Sequence, residues 1–206
     1  MSNTVFQNTI KRYVPEATVS YCSELWLLYK FRFIVKKKRA SKQGDYSYDP
    51  ILQRHTITVN GDLNIYSFLI TYLHEVAHLI TATRHGFRVK PHGEEWKASF
   101  REVLYPILRE EVFPSSVIFP LYNYIGNPKA TSCSDVDLLR ALGEHDEHQL
   151  AFLSDVKLTE TFRFNKKVFR KDGVVRTRAL CTELRSKKQY YIPLAAQIEI
   201  MQIALF

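Results

Sequence analysis

The chain has 206 residues, 46% of them apolar, 24% charged and 13% aromatic, with 7 Gly and 8 Pro. This composition excludes a disordered, collagen-like or low-complexity chain, and the length suffices to bury a core without disulfide staples. The formal net charge is +8, and residues 157–206 hold 11 basic against 4 acidic side chains, so nearly all the excess lies in the C-terminal quarter. That is the electrostatic footprint expected for a polyanion partner such as nucleic acid, and equally that of a solvated basic face with no partner.

In chain order, Val5, Phe6, Ile10, Tyr13 and Val14 recur at helical spacing and stop at Pro15, predicting a short N-terminal helix over 5–14. Residues 25–35 are aromatic and β-branched, with Lys30 and Arg32 alternating against Tyr29, Phe31 and Phe33, which predicts a strand followed by the basic run Lys36–Arg39. A polar loop with Gly44 and Asp45 then leads to a second strand, His55–Val59, closed by the turn Asn60-Gly61-Asp62. From Leu63 to Thr83 the apolar residues Phe68, Leu69, Tyr72, Leu73, Val76, Ala77 and Ile80 make a broad helical surface, with Gly86 placed to end it. A second helix is expected over Glu94–Leu108, irregular or short-helical structure over Val112–Ala130, and a short capped helix over Ser134–Leu142. The polar segment Gly143–His148 marks a domain boundary. Beyond it the pattern is all-β: Phe162–Phe169 and Val174–Leu180 flank Lys171-Asp172-Gly173, where the Asp-Gly pair reads as a hairpin turn, and Lys188–Leu194 and Gln197–Ile203 are further strands.

Cys22, Cys133 and Cys181 are odd in number and far apart, so neither a disulfide framework nor a CxxC metal knuckle can be built from them. The first residues contain no apolar signal-like run, and no stretch of 18 uncharged apolar residues occurs. A reduced, cytoplasmic protein with no membrane partner is expected.

The chemistry concentrates in His74-Glu75-Val76-Ala77-His78, an HExxH within the most apolar helix. Histidines at i and i+4 project from one face and reach one metal ion, while Glu75 is turned aside to act on water. Left without partners, three titratable groups in a core would cost several kcal/mol, at about 1–3 for each unsatisfied polar group. Catalytic zinc takes three protein ligands and leaves a position open. The spacing that would put a third histidine six residues further on fails, because Arg84 stands there and His85 is one residue late. Glu94, Glu95 and Glu102 are alternatives, but His92, in the short loop before the second helix, is the better choice. A second cluster, His145, Asp146 and His148, lies in a polar linker and is assigned no site.

The pair HEVAHLI and PHGEEWKASF, with the upstream segment Arg39–Tyr46, resembles the SprT-like metalloproteases over roughly residues 1–148. The resemblance implies an α+β, zincin-like domain over 1–148 with one Zn2+ held by His74, His78 and His92, and Glu75 as general base in peptide-bond hydrolysis. Many members of that family continue into a four-cysteine zinc ribbon. Residues 149–206 contain Cys181 alone, so a metal-free, basic β-rich module is expected in its place. There Lys166, Lys167, Arg170, Lys171, Arg176 and Arg178 interleave with aromatic residues, a pattern suited to single-stranded or other DNA, though such aromatics also build sheet cores. Tyr122, Tyr124, His85 or an arginine would supply an oxyanion donor. The expected function is a zinc-dependent endopeptidase acting on DNA-associated proteins. The alternative is a non-catalytic nucleic-acid- or protein-binding module that retains a structural zinc.

Overall fold

The computed structural model describes residues 2–39, 41–126, 128, 135–147 and 151–201. It is a mixed α+β chain that divides into two units, Met1–Ser132 and Cys133–Phe206. Ala40, Cys133 and His148 lie outside the described residues.

The first unit opens with α1 (Asn3–Ile10), capped by the Ser2 hydroxyl, and α2 (Val19–Tyr29). The strand expected over 25–35 is therefore corrected: its first half is helix. Leu25 and Cys22 are buried on α2, Trp26 stacks on Phe6 of α1 at 4.9 Å, and Trp26 Nε1 donates to the Phe31 carbonyl. Packing of these apolar residues against α1 overrides their β propensity. Lys30, in the left-handed conformation (φ 48°), ends the helix, and β1 (Arg32–Lys36) follows. A second correction concerns Gly44 and Asp45, which begin a strand, β2 (Gly44–Asp49), and not a loop. With β3 (Arg54–Asn60) they form a three-stranded sheet of order β1-β3-β2, β3 being parallel to β1 and antiparallel to β2.

α3 (Ile65–His85) bears out the central helix. The Asn64 side chain accepts from the Tyr66 and Ser67 N–H groups, and Gly86 at φ 76° closes the far end. Its apolar residues Phe68, Leu69, Tyr72, Leu73, Val76 and Ile80 are buried, and Phe33 of β1 meets Phe68 and Tyr72 edge-on. α4 (Glu94–Leu104) ends before the expected 108, where a 3₁₀ turn, Tyr105–Ile107, forms around Pro106. α5 (Ser115–Gly126) is a helix despite Pro120 and buries Val117, Leu121, Tyr124 and Ile125.

The second unit contains α6 (Val136–Gly143), which the sequence assigned to the first domain. Asp135 caps it, and Arg140 pairs with Asp155, donates to the Ser154 hydroxyl at 2.7 Å and lies over the Phe152 ring. The six-stranded sheet, order β4-β9-β5-β6-β7-β8, comprises β4 (Ala151–Phe152), β5 (Thr161–Phe164), β6 (Lys167–Val175), β7 (Arg178–Glu183), β8 (Gln189–Pro193) and β9 (Gln197–Ile200). Its core is Leu153, Val156, Phe162, Phe169, Ala179, Cys181, Ile192 and Ile198.

The expected Asp-Gly turn is overturned. Asp172 and Gly173 lie inside β6 at a bulge, and the hairpin turns fall at Asn165-Lys166 and Arg176-Thr177. Asn165 and Lys166 take φ of 47° and 64°, the positive values a two-residue hairpin loop requires. Asp172 is held by Arg170 and by the Thr182 hydroxyl, so its carboxylate stabilises the ladder instead of a turn.

Lys171 is a further correction to the nucleic-acid set. It is 4% exposed, and its Nζ donates to the Leu153 and Val156 carbonyls at 3.0 and 2.6 Å, fastening the turn after β4 to β6. Lys171→Met would leave both carbonyls without that donor and is predicted to destabilise the protein by about 1–3 kcal/mol, measured by urea unfolding of the second unit's signals.

Candidate metal centre

Three imidazoles converge in the first unit. His74 and His78 lie one turn apart on α3, and His92, in the loop before α4, takes a positive φ of 57° that turns its side chain back onto that helix. The three Nε2 atoms are 3.0–3.2 Å from one another. Tetrahedral zinc at ~2.0–2.1 Å from each nitrogen would hold them ~3.3 Å apart. Each Nε2 either carries a proton or offers a lone pair, so among three mutual neighbours at least one pair is mismatched as a hydrogen bond. A shared cation removes that mismatch, and the three histidines form a group that can hold one.

Trp96 of α4 floors the cluster, with its ring 4.6, 5.3 and 4.7 Å from those of His74, His78 and His92, and Phe100 is stacked beneath it. Burial in this apolar surround lowers the pKa of all three histidines. In His74 the neighbouring imidazoles His78 and His92 add to the effect, and His78 falls to about 4.

Glu75 is 7% exposed and lies against the start of β2. A Cβ on Gly44 would stand 2.5 Å from Glu75 Oε1 and 2.7 Å from the Thr71 methyl, so only glycine permits this approach. The Tyr46 N–H hydrogen-bonds to the Glu75 carboxyl. The segment leading into β2 is fixed by Arg39, whose guanidinium donates to the Asn60 side chain (2.7 Å), the Thr58 hydroxyl and the Gln43 carbonyl, while Asn60 Nδ2 donates to the carbonyls of Arg39 and Lys42. Burial is the main cause that pushes the Glu75 pKa up to about 8, with Asp45 adding to it and Arg39 and Lys42 opposing.

The other sequence candidates stand elsewhere. Glu94 pairs with Lys97, and Glu102 accepts both guanidinium nitrogens of Arg84. Glu95 and His85 are exposed, Tyr122 is 61% exposed on α5, and Tyr124 is buried beside Phe100. His145 and Asp146 follow α6. Gly44 lies against Glu75, Tyr46 against His78 and His55 against Tyr46; the sequence placed Gly44 and Tyr46 only within the segment Arg39–Tyr46 and His55 only at the start of a strand, and gave none of them a role in the site. The available signal was the alternation Gly44-x-Tyr46-x-Tyr48, masked by polar Asp45, Ser47 and Asp49.

In the second unit the six basic candidates do not share one patch. Lys166 and Lys167 lie at one end of β6 and Arg176 and Arg178 at the other, while Arg170 between them pairs with Asp172 and Lys171 is buried. The β7–β8 loop brings Arg185, Lys187 and Lys188, all exposed, to the Lys166 end.

These shifts make the metal-free protein pH-sensitive in two directions. The histidines sit below their ordinary 6.5, so the stability they contribute is present above that value and lost as pH falls below it. Glu75 sits above its ordinary 4.5, so its contribution is present at low pH and lost as pH rises through about 8. In chelator, stability is predicted to be greatest near neutrality, and Glu75→Gln is predicted to abolish the decline on the alkaline side. Thermal melts across this range test both.

Among the described residues, no helix is long and apolar enough to cross a membrane. No curated protein and no solved structure matches the chain. Residues 14–112 match the model of the SprT-like family. That segment contains β1 to β3, the HExxH helix, His92 and α4, and over it, a little under half of its length, the chain is similar to the SprT-like family.

Proposed function

We propose that this chain is a zinc-dependent endopeptidase of SprT-like type, with a zincin-like first unit, and that it acts on DNA-associated proteins. The observation that carries the reading is the convergence of three imidazole nitrogens within 3.0–3.2 Å of one another, one residue from a buried carboxyl group. His74, His78 and His92 would hold the ion. When bound, zinc supplies Lewis acidity, polarising a carbonyl and lowering the pKa of water towards ~7.

The chain's own residues account for the rest. Glu75, steadied by the Tyr46 N–H, takes a proton from the attacking water and delivers it to the leaving amine. β2 is the outer strand of its sheet, the position at which an extended peptide can be laid alongside. Such main-chain pairing is indifferent to side chains and suits a broad range of protein substrates.

Support for nucleic acid as the second partner comes from the Lys166 end of the six-stranded sheet. A groove of about 360 Å³ is lined there by Phe164, Lys167, Phe169, Tyr190 and Tyr191. Tyr191 is 56% exposed, and Lys167 Nζ lies 5.9 Å from the Tyr190 ring centroid. Exposed rings beside Lys166, Arg185, Lys187 and Lys188 combine base stacking with phosphate neutralisation.

The metal reading predicts about one zinc per chain by elemental mass spectrometry, and a large loss of it in His92→Ala. Glu75→Gln is predicted to retain the zinc while peptide cleavage falls by about 10²–10⁴, and cleavage at the wild-type rate would refute the assignment. For the second partner, fluorescence anisotropy with an oligothymidylate is predicted to show salt-dependent binding. The slope should fall by about one for each phosphate contact removed, in Lys166→Ala, Lys187→Ala and Lys188→Ala but not in Arg176→Ala.

A further inference from the structure

The sheet face turned towards α3 carries Gly44, Tyr46 and Tyr48 of β2, paired respectively with Val59, Ile57 and His55 of β3. Along β2, Gly44 abuts Glu75, and two residues on the Tyr46 ring lies parallel to that of His78, at an interplanar angle of 7° and 6.4 Å between centroids. One residue thus touches both halves of the centre: its backbone N–H meets Glu75 and its ring faces a histidine of the cluster.

The Tyr46 hydroxyl is itself held. It lies 2.9 Å from His55 Nδ1. The His55 ring is fixed between Tyr46, stacked at 5.8 Å, and Tyr48 at 4.8 Å, and Phe87 stacks on Tyr48 in turn. A phenol oxygen that accepts from the Nδ1–H of His55 keeps its own proton free to donate, and does so from a fixed position. Pure packing would need only the ring. Of the alternative donors, Tyr122 is exposed on α5, Tyr124 is buried beside Phe100, Arg84 is engaged by Glu102, and Arg101 donates to the Ile125 and Gly126 carbonyls.

We propose that Tyr46, with its hydroxyl held by His55, donates a hydrogen bond to the oxyanion that forms on the scissile carbonyl; this rests on the peptidase reading above. As the water oxygen bonds to the carbonyl carbon, the π electron pair moves onto the carbonyl oxygen and the water proton passes to Glu75. Tyr46 keeps its proton and stabilises the new charge. When the C–N bond breaks, the pair returns to re-form the carbonyl and the amine leaves with the proton from Glu75. Because the charge exists only in the transition state and the tetrahedral adduct, the interaction acts on kcat more than on KM.

The test compares zinc-loaded wild type with Tyr46→Phe, His55→Ala, the double variant and Glu75→Gln. Turnover of a denatured protein substrate is followed, and calorimetry measures the affinity for a phosphinic peptide, whose tetrahedral oxygens imitate the oxyanion, and for a product peptide that lacks them. Tyr46→Phe keeps the ring and is expected to retain zinc and product affinity while kcat falls about 10²-fold, the loss that follows removal of one oxyanion donor. Phosphinic affinity is expected to fall about tenfold or more, since part of the transition-state interaction is reproduced in the analogue. His55→Ala should show a smaller loss in the same parameters, and the double variant should be no worse than Tyr46→Phe, because both changes remove one unit.

Wild-type kcat and phosphinic affinity in Tyr46→Phe would overturn the proposal, as would fully additive losses in the double variant. If Glu75→Gln cleaves as the wild type does, or if the wild type does not turn over, the peptidase reading fails, and phosphinic affinity still decides whether Tyr46 bonds a tetrahedral oxyanion.

Discussion

Four titratable groups on and beside one apolar helix set the terms for the first unit. His74, Glu75 and His78 project from α3 among Phe68, Leu73, Val76 and Ile80, where ionised groups are heavily penalised and unpaired polar atoms cost about 1–3 kcal/mol each. Much of the surrounding structure answers that cost. His92 is returned by a left-handed backbone to bring a third nitrogen to the cluster, Trp96 and Phe100 exclude water from beneath it, and β2 comes close enough through Gly44 to give Glu75 a backbone donor.

The cluster accordingly offers a group of ligands that can hold a cation. Depressed imidazole pKa values keep the ring nitrogens available as lone pairs, and a carboxyl poised near neutrality is one that can take up and release a proton. A bound dication would draw the Glu75 pKa down, relieving that shift, and would take up the imidazole lone pairs that burial already leaves unprotonated. The Arg39–Asn60 network contributes at a distance, because it sets the path by which the chain enters β2 and hence the position of Gly44 against Glu75.

In the second unit the balance between structure and binding is decided residue by residue. Lys171 is spent inside the sheet, Arg170 and Lys167 are paired with Asp172 and Glu183, and the unengaged positive charge gathers in the turns. Interleaved basic and aromatic residues in a strand therefore divide between core and surface according to pleat. Ordinary pleat alternation puts Lys171 on the same buried face as Phe169, just before the bulge at Asp172, and the exposed tyrosines fall on the outer strand β8.

What was legible in the sequence was local. The α3 helix follows from 3.6-residue periodicity between an Asn cap and a terminal Gly, and the i, i+4 spacing of His74 and His78 guarantees a shared face; both are properties of a few consecutive turns. The composition shift towards a basic, β-rich C-terminal region is likewise a sum over residues. Only the tertiary structure decided that Leu25 and Trp26 are helical, that the polar alternation 44–49 is a strand, that α6 belongs with the second unit, and that the hairpin turns at Asn165-Lys166 and not at Asp172-Gly173. It also brought Tyr46 beside His78 and His55 against the Tyr46 hydroxyl. The reason is that strand register and loop return depend on partners distant along the chain, and a one-residue change of register turns every side chain to the opposite face. No window of the sequence contains that information.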